Sequence, residues 1–174
     1  MKNIKFEVGE HCIYKTHGLA KVQDIQTIDF AEVKSKCLVL YIERDKMTIF
    51  VPMQEVENGN LRKVSSEEQI DSVFIALTDG VKKIKGIWSR RIKEYEDKIN
   101  SGDVMQIAEV IKTLTRDIDE SQRAFSERMI YEEALFRLAG EVSIVKGISM
   151  DEAKLRIIEI AKQKVYFKNT EDLA

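Results

Sequence analysis

The chain has one proline, one tryptophan, two histidines and two cysteines among its 174 residues. Each scarcity excludes something. His11 and His17, both in the N-terminal part, are the only histidines and there is no Gly-x-Ser-x-Gly turn, so covalent catalysis is disfavoured. The eight glycines are scattered and form neither a P-loop nor a G-x-G-x-x-G turn, so no phosphate-cradling loop is present. Cys12 and Cys37 lie far apart and have no C-x-x-C partner, which fits reduced, structural thiols. His11, Cys12, His17 and Cys37 are the nearest thing to a zinc set. However, adjacent residues in an extended strand point to opposite faces, so His11 and Cys12 cannot converge on one metal, and neither metal nor cofactor is expected. No apolar run approaches the ~20 residues of a membrane span. The N-terminal Met1–Lys5 stretch leads into Glu7 and Glu10 without a signal-peptide core, so a cytoplasmic protein is expected. The acidic pairs Glu94/Glu96 and Glu132/Glu133 alternate with basic residues, as solvated helix faces do.

Neither sign of charge dominates: 28 basic and 30 acidic residues leave a net charge of -2. Against that balance one segment stands out. Lys82, Lys83, Lys85, Arg90, Arg91 and Lys93 surround Trp88, and no acidic residue interrupts positions 81–93. Cations hold phosphates, and a flat ring among them can stack on bases or wedge between them. A patch this local gives weak, salt-sensitive affinity alone and needs a second anchor. Trp88, Ile92, Tyr95 and Ile99 also recur at helical spacing, so the ring fits either a core position or an exposed one.

The chain divides by periodicity. Up to about Val64, short runs rich in β-branched and aromatic residues alternate with turn signals: 12–14, 20–25, 37–42 and 47–51, the last closed by Pro52. Such spacing predicts a small, strongly bent antiparallel β-barrel over residues 1–64. Residues 65–174 then read as a bundle of about five helices, an α+β two-domain organisation. A capping box of Ser65 with Glu68 opens the first helix, and Asp79-Gly80 ends it. The second runs from about Ile87 to Asn100. Ser101-Gly102-Asp103 stops it and caps a third helix running through Ile118. A fourth starts near Ser126 and stops at Gly147. Ser149 and Glu152 cap a fifth, through Leu155, Ile158 and Ala161.

These residues resemble the CarD/CdnL family of bacterial transcription regulators, whose N-terminal module is similar to the polymerase-binding module of the transcription–repair coupling factor. The likeness rests on Phe6-Glu7-Val8-Gly9-Glu10 with Tyr14, His17-Gly18 and Val22, then on Leu38-Val39-Leu40 and Val51-Pro52. In the helical half it rests on Trp88-Ser89-Arg90-Arg91, Ser101-Gly102-Asp103-Val104, Ile107-Ala108-Glu109-Val110 and Phe125-Ser126-Glu127-Arg128. Together these run in order from residue 6 to about 142. The resemblance implies a Tudor-like barrel that binds the RNA polymerase β subunit by lengthening an exposed sheet edge. It further implies a helical domain at the upstream edge of the transcription bubble. There Trp88 would wedge into the minor groove of promoter DNA, with Lys85, Arg90, Arg91, Lys93 and Arg128 on the backbone. The implied result is a longer-lived open promoter complex with no enzyme activity. Nothing in the sequence demands a dimer, so a monomer is expected, nucleoid-associated through polymerase.

Lys15 stands where the family commonly has proline. Ile28 and Phe50 stand where some relatives carry arginines that pair with the β subunit, so polymerase contact here is expected to lean on backbone pairing and apolar packing around Ile28, Thr48 and Phe50. A competing reading keeps polymerase binding but places Trp88 in the core, with the helical domain holding another protein.

Overall fold

The structure, a computed structural model, describes residues 4–79, 87–116 and 125–171; the side chains of residues 30, 88, 116 and 164–171 lie outside that description. Two compact units divide the chain, Met1–Val64 and Ser65–Ala174. No helix among the described residues is long and apolar enough to cross a membrane.

The first unit is a five-stranded antiparallel sheet: β1 (His11–Tyr14), β2 (Gly18–Phe30), β3 (Val33–Ile42), β4 (Met47–Pro52) and β5 (Leu61–Lys63). Alternation along the strands sends Cys12, Ala20, Val22, Leu38, Leu40, Ile42, Val51 and Leu61 to one face. There they form a core with Phe6 and with Val56 of the short helix α1 (Met53–Glu57). Helix α1 starts directly after Pro52, whose φ of -58° suits a helix entry. It ends at Asn58, followed by Gly59 at φ 82°, the left-handed position that favours glycine.

The expected small, bent antiparallel barrel is present as a sheet that does not close. Its order is β4-β3-β2-β1-β5, so β4 and β5 are its two edges. A bulge between Val22 and Asp24 bends β2 and supplies curvature without closure. Three-residue β5 is too short to complete a ring, and Pro52 lacks the donor that would continue β4. The bent antiparallel sheet is otherwise the Tudor-like arrangement anticipated. Beyond the expected strand limits, β2 and β3 run on as a two-stranded arm over residues 27–36, from Thr27↔Lys36 to Phe30↔Val33. Its two-residue tip, Ala31 and Glu32, holds positive φ angles of 49° and 69° without a glycine or asparagine to announce a turn.

The second unit contains five helices among the described residues: α2 (Glu67–Thr78), α3 (Trp88–Asn100), α4 (Val104–Arg116), α5 (Phe125–Lys146) and α6 (Met150–Glu171). The first cap falls one residue later than expected. Ser66 receives the Gln69 amide on its Oγ and gives its own amide to Gln69 Oε1, while Ser65 is engaged elsewhere. Gly102, at φ 72°, turns α3 into α4, and Asp103 caps α4 by accepting from Met105 N–H at 2.8 Å. Gly147 and the Ser149 cap separate α5 from α6 as anticipated. The buried stripe of α6 is Ala153, Ile157 and Ala161, not one built on Leu155, which is exposed. These three recur every four residues on one face of α6, and leucine at 155 falls off that line. Tyr95 and Ile99 of α3 join Ile107, Ile111 and Leu114 of α4 and Leu135, Leu138 and Val142 of α5 in one core.

Candidate nucleic-acid interface and sheet edge

Helix α3 starts without a side-chain cap and without an acidic first turn. Its N-cap is Ile87, 73% exposed, which offers no side-chain acceptor to the first-turn amides. Ser, Thr, Asp or Asn at this place would satisfy one of them. No acidic residue occupies the first turn. In its place come Ser89, Arg90 and Arg91, set against the positive end of the helix dipole. Ile87 O accepts from the amides of both Arg90 (3.1 Å) and Arg91 (3.2 Å), so the backbone is helical from the outset. Arg90 and Lys93, three residues apart, share an exposed face, and Arg91 is half-buried. Among the described residues, three conventional stabilising choices are thus absent at this helix end.

The helix is nonetheless firmly placed. Tyr95 and Ile99 are buried in the core. Lys98 Nζ reaches Glu109 Oε2 of α4 at 2.9 Å, and Arg137 Nη1 of α5 donates to Ile99 O at 3.4 Å. Arg128 is exposed in the first turns of α5, between exposed Phe125 and Met129. That apolar pair was not singled out from sequence, although its i, i+4 spacing beside a cation was visible. Lys82, Lys83 and Lys85 lie outside the described residues, as does the side chain of Trp88. The backbone of Trp88 is the first residue of α3.

In the sheet unit, register places Ile28, Thr48 and Phe50 on one face. Ile28 pairs with Ser35, Thr48 with Tyr41 and Phe50 with Val39, all on the side opposite the core formed by Leu38 and Leu40. Thr48 and Phe50 belong to edge strand β4, and Phe50 is 52% exposed. The other edge is blunted: β5 is short and carries Arg62 and Lys63, with Lys63 bonded to Glu10 and lying over the Phe6 ring.

The thiols and imidazoles sit in separate surroundings within the sheet unit. Cys12 faces the core, where burial chiefly, and then the Glu10 charge, push its thiol up to about 12. Cys37 lies on the opposite face of the sheet, so the two sulfurs do not converge. His17 stacks on Tyr14 at a centroid distance of 5.4 Å and shares a 2.8 Å hydrogen bond with Thr16 Oγ1. His11 is held below its ordinary value by burial and by the Lys21 charge, which together outweigh Glu43.

A cationic helix end on one unit and an open sheet edge on the other are two surfaces suited to binding. Comparison with known families gives this arrangement its class. Residues 6–65 match the CarD-like/TRCF RID domain, and residues 72–158 match the CarD C-terminal domain. The pairing defines a transcription regulator that interacts with RNA polymerase. The chain belongs to the CarD family. Among curated proteins it is similar to YdeB of Bacillus subtilis (strain 168), named provisionally as a transcription factor. The two are 26% identical over 149 residues, 86% of this chain and 97% of that protein.

Proposed function

We propose that this protein docks on the RNA polymerase β subunit through the β4 edge and the face carrying Ile28, Thr48 and Phe50. In that position it stabilises the open promoter complex through the start of α3. Trp88 is assigned to the minor groove at the upstream edge of the bubble, with Lys85, Arg90, Arg91, Lys93 and Arg128 on the DNA backbone. No catalytic step and no cofactor enter, the factor acts as a monomer, and it works in the cytoplasm on the nucleoid. The observation that carries the reading is the helix start itself: exposed Ile87 for a cap, no acid in the first turn, and Arg90 and Arg91 against the dipole. A phosphate placed there supplies the missing negative charge and hydrogen-bond acceptors together. For the sheet unit, β4 is the longer and less charged of the two edges and so the better template for strand addition.

Opening a base step costs a few kcal/mol of stacking, which an inserted aromatic ring partly offsets. The wedge acts only by binding open DNA better than closed DNA. Tethering to polymerase supplies the local concentration that a weak basic patch lacks. Trp88→Ala is expected to shorten the open-complex lifetime while polymerase binding is retained; an unchanged lifetime would sink the wedge. The competing adaptor reading draws on one observation, that Trp88 begins the stripe on which Tyr95 and Ile99 are buried. Blue-shifted, quencher-resistant tryptophan emission from the free protein would favour it.

A further inference from the structure

Glu141 lies in the middle of α5 at 2% exposure, among the fully buried Leu138, Ala139 and Val142. Its Oε1 accepts from both the backbone N–H (2.7 Å) and the Oγ–H (2.6 Å) of Ser65, which is itself buried. The two residues are 76 positions apart in sequence. A carboxyl group in an apolar interior is costly, and a well-packed apolar residue generally stabilises as much or more. Stability alone therefore does not account for a glutamate at 141.

The place of Ser65 in the chain does account for it. Ser65 is the first residue of the helical unit. Just before it, Lys63 is tied into the sheet by pairing with Cys12. Just after it, Ser66 is locked in the reciprocal cap with Gln69 that starts α2. With Ser65 held by Glu141, the only residue between the two sets of restraints is Val64. We propose that Glu141 is a positioning residue that shortens the connection between the units to a single residue. The effective concentration of a tethered module depends on linker length and stiffness, and losing this anchor would add Ser65 to Val64 and double the unrestrained connection. This inference rests on the assignment of polymerase binding to one unit and DNA contact to the other, and it adds a residue that touches neither partner.

The test uses the full chain carrying Glu141→Leu or Glu141→Gln, with Ser65→Ala as a milder variant should the leucine protein fail to fold. The Ser65 backbone order parameter is expected at about 0.85 in the parent, falling below about 0.6 in Glu141→Leu. Glutamine, which keeps a carbonyl acceptor, should fall between them. Amide protection at Ile111 and Leu138 should persist, showing the bundle intact. Polymerase affinity should stay within about twofold and open-complex lifetime should fall severalfold, a factor of about 5 corresponding to roughly 1 kcal/mol. A Ser65 amide as rigid in a folded Glu141→Leu protein as in the parent would overturn the anchor. A mobile Ser65 with an undiminished lifetime, in an assay where Trp88→Ala shortens it, would overturn the positioning role. If Trp88→Ala itself has no effect, the wedge assignment fails, and the order parameter alone decides the anchor.

Discussion

Replacing Arg90 by glutamate should raise the stability of the free protein and shorten the life of its complex with promoter DNA. Arg90 is the third residue of α3, exposed, in a first turn without an acidic side chain. A cation there is disfavoured by ~0.3–1 kcal/mol and an anion favoured by a similar amount, so reversing the sign is worth about 1 kcal/mol. For a unit of this size that is an increase of about 4 °C in Tm. Ile87→Ser adds a side-chain cap without changing charge and should contribute about 1 kcal/mol more. On DNA the sign is opposite. Removing one phosphate-binding cation lowers the log–log salt slope by about 0.9, and a carboxylate beside the backbone adds repulsion. Open-complex decay should therefore be faster and less salt-dependent, with Arg90→Gln intermediate in both assays. Thermal unfolding of the free protein, together with decay of competitor-challenged promoter complexes across a salt series, measures both. An Arg90→Glu protein with unchanged or lower Tm and an unaltered salt slope would refute the idea that this helix start is kept for phosphate.

Phe50→Asp should weaken polymerase binding at least tenfold in a pull-down with little effect on Tm, because Phe50 is an exposed residue of edge strand β4; equal retention would remove β4 from the interface. Acid should destabilise the sheet unit in two stages, read by urea unfolding against pH. His11 is held below its ordinary 6.5, so the folded unit favours the neutral ring and loses stability as pH falls below 6.5 toward the folded value. At Glu10, burial raises the carboxyl, but hydrogen bonds from Lys63 and the Glu7 amide, with the Lys63 charge, more than reverse that. Its contribution is present above the ordinary 4.5 and lost as pH falls through the lowered value, and Lys63→Met should remove the lower stage. Cys12, with its thiol pushed up to about 12, should resist alkylation at about pH 8 in folded protein and react once unfolded; fast native labelling would contradict its place in the core.

What the residues announced in advance depended on how local the cause was. The helices α2 to α6 were legible because their apolar spacing and caps are written within a turn or two. Strand β5 was not, since Leu61-Arg62-Lys63 becomes a strand only by pairing with β1, some fifty residues earlier. The arm over residues 27–36 was hidden because its tip uses Ala31 and Glu32 instead of the usual turn residues. Ser65 and Ser66 both suit a cap, and the choice between them was made by Glu141, distant in sequence. Its one local signal was a lone acid within Leu138-Ala139-Gly140-Glu141-Val142. At the candidate site, the cations could be read from composition. The unsuitability of Ile87 as a cap emerged only when α3 was seen to begin at Trp88.

The open edge at β4 also bears on the protein when polymerase is scarce. If β4 pairs with a polymerase strand as proposed, it would pair with a copy of itself by the same hydrogen bonds, and Phe50 would add apolar contact to such a pair. Pro52 ends the ladder at one side and charged residues 43–46 bound it at the other, so self-pairing is limited in length. Occupation of this edge by polymerase would then serve as protection against aggregation. On that view the amount of the protein a cell tolerates is tied to the number of polymerases that cover it.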